Sequence, residues 1–311
     1  MKLFLEQIKS VTVGAVQIEE KNGEFHFCKM TVNQIEAFRD ISVAQYNNAR
    51  ATTGIRLDFH TDSPYVKYAT ITDGNYELAI DGCLTNKTRA AKGEEINYTL
   101  PEGEHRVTLC LPAHGCPGGL SYLEIADGAT LTRHKFDRKF LFIGDSITQG
   151  WKSEIDNLGY TYRVSDHFNA ESIIQGTGSA CFNEETIEKL DFDPDTVFVA
   201  YGTNDAGGIK TLDEIRDRAK RFLAKLQGFY PDARFVVITP LWCVNYDAPR
   251  AFGSMEDFGK AIGDEARLLG MTVIRGEDMV PPIESLFIDN VHPNGVGFAF
   301  YAHNLIRELS K

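Results

Sequence analysis

Excess positive charge is missing from this 311-residue chain: 32 Lys and Arg stand against 44 Asp and Glu, a net charge of -12. An acidic surface is repelled by phosphate backbones and anionic bilayers, which argues against nucleic acid and membranes as partners. Neutral substrates such as sugars remain open. No apolar run approaches the length of a membrane span. The opening stretch MKLFLEQIKSVTVGAV is interrupted at Glu6 and Gln7, too early for a secretory core, so no signal peptide is expected. The six cysteines (28, 83, 110, 116, 181, 243) show no framework spacing. Without an export signal they read as reduced thiols, and a cytoplasmic location is the expectation.

Metal and nucleotide motifs are incomplete as well. Cys110, His114 and Cys116 fall within seven residues, but a structural zinc site wants four ligands in paired short motifs and no second pair is near. The segment reads as a strand ending in a Pro/Gly loop, and no metal is expected. Asp191, Asp193 and Asp195 lack the glycine and distant glutamate of a calcium loop. GTGSAC lacks the third glycine of a dinucleotide fingerprint. No Gly-x-Ser-x-Gly elbow surrounds Ser146, which disfavours an ordinary α/β-hydrolase.

What is present divides the chain in two. Residues 1–135 read as β: GIRLDFHTD, YVKYATIT, YELAIDG, INYTLPEGEHRVTLCLPA and SYLEIADGATLTRH are short β-branched and aromatic runs separated by turn residues. In the first, Ile55, Leu57 and Phe59 point one way, Arg56 and Asp58 the other. This spacing predicts a sandwich of jelly-roll type. In residues 136–311 apolar strands (KFLFI, ESIIQ, TVFVAY, RFVVITP, MTVIR) alternate with helical patterns. The clearest of these places Leu212, Ile215, Ala219, Phe222, Leu223 and Leu226 on one face, and a last helix is predicted over roughly 296–309. Alternation of this kind predicts a doubly wound parallel sheet with helices on both faces. Such sheets gather their functional residues at the carboxyl ends of the strands.

Those ends carry chemistry. Ser146 follows the first strand, Gly176-Thr177-Gly178-Ser179 the second and Gly202-Thr203-Asn204-Asp205 the third, while Asp289 and His292 precede the last helix. A serine hydroxyl needs a neutral imidazole to take its proton, and His292 is the candidate. Asp289, three residues away, would fix the tautomer and stabilise the imidazolium. The oxyanion would be met by the Ser146 N–H, the Gly176 N–H and the Asn204 amide. Asp145 is expected to orient the nucleophile loop, and Asp205 to serve a turn or helix cap. Trp151 and Trp242 both follow strand ends, where they would line an acyl or sugar pocket or belong to the core.

The blocks GDSIT, QGTG, GTND and DNVHP resemble, in order, the four motif blocks of the GDSL or SGNH hydrolases. The resemblance implies a flavodoxin-like three-layer α/β/α domain. It also implies Ser146, Gly176, Asn204 and His292 as the family-defining residues, with Asp289 completing a triad. Gln175 stands where the family often has Asn, and Gly176 is preferred to Gly178 as the amide donor. The preceding β half, with ARATTGIRLDFHTDS leading into it, resembles that of two-domain carbohydrate O-acetyl esterases, acetyl-xylan esterases among them. The expectation is a cofactor-free serine esterase removing a short acyl group, acetyl foremost, from a small-molecule or oligosaccharide ester. The alternatives are acyl transfer, lipid or thioester hydrolysis by the same residues, or a non-catalytic carbohydrate-binding protein.

Overall fold

The computed structural model describes every residue except Cys116 and Glu154, and every side chain except those and residues 86–88. Its N-terminal half contains α1 (Leu5–Val11), β1 (Thr12–Val13), β2 (Gln17–Lys21), β3 (Glu24–Cys28), α2 (Val32–Ile41) and α3 (Val43–Arg50). There follow β4 (Arg56–Thr61), β5 (Tyr65–Thr70), β6 (Gly74–Ile80), β7 (Cys83–Ala90), β8 (Glu95–Thr99), β9 (His105–Cys110), β10 (Gly119–Ile125) and β11 (Thr132–Arg133). The C-terminal half runs β12 (Arg138–Gly144), α4 (Tyr160–His167), β13 (Ala170–Gly176), β14 (Thr196–Ala200) and α5 (Leu212–Phe229). It closes with β15 (Arg234–Ile238), α6 (Met255–Leu268), β16 (Thr272–Ile274) and α7 (Gly295–Leu309).

Two antiparallel sheets, β1-β4-β9-β6-β7 with β11 beside β4, and β2-β3-β10-β5-β8, make the sandwich. Alternation explains its core: Leu57 and Phe59 of β4, Leu78 of β6 and Leu109 of β9 meet Phe25, Val66, Tyr68 and Leu123 from the facing sheet. Arg56 and Asp58 do point the other way, yet they are buried too, because that outer face lies against the C-terminal half.

The second half is a parallel sheet in the order β13-β12-β14-β15-β16, the flavodoxin-like arrangement. Leu141, Val197 and Val237 pack against α5 and α6 on one face, while Phe142, Phe198 and Val236 pack against α4 and α7 on the other. Helices on both faces bury both sides of every central strand, which is why these strands read as unbroken apolar runs. Among the described residues, no helix is long and apolar enough to cross a membrane.

The helices α1, α2 and α3 depart from the all-β reading of residues 1–135. Thr31 caps α2 by accepting the Gln34 N–H at 3.1 Å, and Gln34 Oε1 accepts the Thr31 N–H at 3.0 Å, a capping box. Met30, Phe38 and Ala49 join the α5/α6 side of the parallel-sheet core rather than the sandwich core. The first half therefore sends residues 29–50 across to the second, along the outer edge of β13.

Candidate active site

Strand β12 ends at Gly144, where a Cβ would sit 2.1 Å from Thr148 Oγ1 and 2.7 Å from the Ala200 carbonyl. Only glycine lets the chain fold back so tightly there. The next residues form a turn: Gln149 N–H bonds to the Asp145 carbonyl at 3.0 Å, Gly150 N–H to Ile147 at 3.0 Å and Trp151 N–H to Ser146 at 2.8 Å. The Asp145 side chain accepts the Ile147 N–H at 2.9 Å from within the turn. Burial, with Asp205 nearby, pushes its carboxyl up to about 7. Asp205 is buried as well and raised to about 6 by that burial; it accepts the Phe182 N–H at 3.2 Å and ties the 203–207 segment to the 180–183 segment.

The turn presents Ser146 to the segment before α7. Ser146 Oγ lies 2.8 Å from His292 Nε2. His292 Nδ1 lies 2.9 Å and 3.0 Å from the two Asp289 oxygens. Asp289 Oδ1 also accepts the backbone N–H of His292 at 2.7 Å and of Val291 at 3.0 Å. Partial burial pushes the Asp289 carboxyl up, but these hydrogen bonds outweigh it and hold the group below the ordinary carboxylate range. An ionised Asp289 accepts from Nδ1–H and leaves Nε2 unprotonated toward the serine. Asn294 caps α7 through Val296 N–H and Gly297 N–H, both at 3.0 Å, so the cap role falls to it and the His292 ring faces Ser146.

Of the three anticipated oxyanion donors, two keep a hydrogen free to give. The Ser146 N–H has no partner among the described residues. Asn204 Nδ2 donates to the Ala180 carbonyl at 3.0 Å and has a second hydrogen to give. Gly176 is the departure. Thr177 N–H bonds to the Gly144 carbonyl on β12 at 2.9 Å, so by strand alternation the Gly176 N–H and C=O face the opposite, outer edge. Its carbonyl there accepts from Lys29 Nζ at 2.8 Å. Gly178 N–H is occupied by Gln149 Oε1 at 2.9 Å. The need for glycine at 176 is one of space: a Cβ would meet Gln149 N at 2.3 Å, where the turn carrying Ser146 rests on the strand. Strand register decided this, and one sequence alone does not carry it.

Trp151, half-buried, meets His114 edge-on with ring centroids 5.4 Å apart; Trp242 leans on Phe287 at 5.3 Å, beside the bridge from Phe287 to Pro293. Trp151 lies in the Ser146 turn, its N–H bonded to the Ser146 carbonyl, and Trp242 lies beside the segment that carries His292. Of the cysteine–histidine segment, Cys116 lies outside the described residues, while Cys110 is buried with Sγ 3.6 Å from Asn157 Oδ1. Burial, with Lys29 nearby, pulls the His114 imidazole down to about 4.

The chain belongs to the GDSL-like lipase/acylhydrolase family, whose sequence profile matches residues 142–300, just over half its length. No curated protein matches it in sequence. Solved structures match over nearly the whole chain at low identity. The salicylyl-acyltransferase SsfX3 from a tetracycline biosynthetic pathway superposes with a TM-score of 0.84 at 17% identity, covering 96% of this chain and 93% of that one. A family two carbohydrate esterase from Cellvibrio japonicus gives 0.71 at 16%, with 99% and 96% covered. The acetyl xylan esterase Est2A from Butyrivibrio proteoclasticus gives 0.66 at 14%, with 99% and 97% covered. These likenesses extend the shared fold to the sandwich as well as the hydrolase half.

Proposed function

We propose that this protein is a serine esterase that removes a short acyl group, acetyl foremost, from a carbohydrate. The observation that carries the reading is the continuous Ser146–His292–Asp289 relay, 2.8 Å and then 2.9 Å. In the first step Ser146 Oγ attacks the ester carbonyl while His292 Nε2 takes its proton. The oxyanion is met by the Ser146 N–H and Asn204 Nδ2. Collapse breaks the bond to the sugar oxygen, which leaves with the proton from His292. Water, deprotonated by His292, then cleaves the acyl-serine and restores the enzyme. Trp151 and Trp242 are the side chains proposed to line the acyl and sugar approach. In this reading residues 1–135 form the sandwich and 136–311 the hydrolase domain.

The carbohydrate esterases among the structural neighbours support a sugar ester as substrate. The acyltransferase among them supports a second reading, in which another hydroxyl replaces water at the acyl-serine; a competing alcohol in the assay separates the two by product. The primary test is hydrolysis of nitrophenyl acetate by the wild type and by Ser146→Ala. The expected result is a loss of about 10³-fold or more in the variant. Equal activity in both, or no activity in folded wild type, overturns the proposal.

A further inference from the structure

Lys29 follows β3, in the half that holds none of the catalytic candidates, yet it is fully buried and reaches the end of β13. Its Nζ donates to the Gly176 carbonyl at 2.8 Å and to Thr53 Oγ1 at 3.0 Å. Thr53 in turn donates its hydroxyl hydrogen to the Ala113 carbonyl at 2.7 Å. That same carbonyl accepts from Gln149 Nε2 at 3.3 Å, and Gln149 Oε1 accepts the Gly178 N–H at 2.9 Å. Gln149 belongs to the nucleophile turn; Gly176 and Gly178 belong to the segment leading to Ala180, whose carbonyl holds Asn204. The bonds therefore close a circuit through three things the reaction needs fixed: the turn carrying Ser146, the 176–180 segment and the Asn204 amide. Gln45 and Asn48 of α3 add to it, reaching the carbonyls of Ser179 at 2.9 Å and Gly178 at 3.4 Å.

We propose that Lys29 is a positioning residue for the acyl-transfer reaction, holding the 176–180 segment against the nucleophile turn so that Asn204 and the Ser146 N–H converge on one oxyanion. The inference rests on the esterase reading. Among the described residues no carboxylate forms an ion pair with Lys29; Cys28 and Asp156 act on it only from a distance. Burial pulls its amine down to about 7. The site offers the amine two acceptors, the Gly176 carbonyl and Thr53 Oγ1. A methionine would fill the same volume without desolvating an amine, so what the amine contributes is direction rather than bulk.

The test compares wild type, Lys29→Met and Thr53→Val, which removes only the relaying hydroxyl. It measures kcat and KM for nitrophenyl acetate per serine titrated with a fluorophosphonate, the rate of that phosphonylation, and the melting temperature. Displacement of catalytic groups by a remote change predicts a kcat about 10–100-fold lower in Lys29→Met and about 3–10-fold lower in Thr53→Val, with KM nearly constant. Phosphonylation should slow by matching factors, because it draws on the same donors. Fewer titratable sites and a lower melting temperature, with kcat per site unchanged, would make Lys29 a stabilising residue only and overturn the proposal. If Lys29→Met does not fold, Thr53→Val decides. If wild type hydrolyses no ester but is phosphonylated at Ser146, the esterase reading fails and the phosphonylation rates still judge Lys29. If it does neither, both fall.

Discussion

The interiors of the two halves and the seam between them are built from different materials. Inside the sandwich, Leu57, Phe59, Val66, Leu78, Val107 and Leu123 meet side chain to side chain, and the parallel sheet is packed in the same way by Phe142, Phe198, Val236 and their helices. The seam is equally buried but polar: Lys29, Gln34, Arg56, Asp58, Glu77, Asp156 and Gln175 all lie within it. Gln34 and Gln175 exchange amide bonds at 3.0 Å. Asp156 accepts the Gly54 N–H at 2.9 Å, and its own N–H reaches Glu77 at 2.7 Å. Asp58 is gripped by Arg106 through two bonds of 2.8 Å and by Arg56 at 3.3 Å. Apolar contact is non-directional and tolerates sliding, whereas hydrogen bonds between fixed groups do not. The cores account for compaction, and the seam accounts for where one half sits on the other.

The largest test of that contrast is Asp58→Ala. It leaves Arg56, itself 3% exposed, and Arg106 without their carboxylate, and removing one partner of a buried ion pair costs about 3–5 kcal/mol. Denaturant unfolding should show this loss; a change below about 1 kcal/mol would mean the seam charges are solvated and the contrast is false. A finer test is the cycle of Gln34→Leu and Gln175→Leu. Each single variant strands a buried amide and should cost about 1–3 kcal/mol. The double variant should cost less than the sum by more than about 0.5 kcal/mol, and simple additivity would show that the pair is not a coupled joint. The smallest effect should come from a site away from the seam. Thr211 caps α5 by accepting the Glu214 N–H at 3.3 Å, and Thr211→Ala should lower stability by about 1 kcal/mol while leaving ester hydrolysis unchanged.

This contrast also explains what could be read from the sequence. The strands of the parallel sheet and α5 were legible because burial on one or two faces writes itself directly into apolar periodicity. The meeting of Ser146 with the Asp289–His292 pair was legible because one sits at a strand end and the other just before a helix, with short local motifs. The seam left no such trace. Helix α2 buries chiefly Phe38 and the polar Gln34, so its apolar face is thin, and its one clear signal was Thr31 with Gln34 three residues on. Lys29 stood as an ordinary lysine after a strand. The orientation of the Gly176 amide depends on which β13 groups pair with β12, and a shift of one residue would reverse it.

One consequence concerns self-association. Strand β13 is the outermost member of its sheet, and such a strand offers a row of unpaired amides and carbonyls on which another chain can add. Here the row is closed at both ends by side chains of the preceding half, Arg56 on the Ala170 carbonyl at 3.4 Å and Lys29 on the Gly176 carbonyl at 2.8 Å, with residues 29–50 lying along it. The sandwich thus acts as a lid on an adhesive edge. A hydrolase half expressed without it would carry that edge bare, and its first failing would be to stick to its own copies.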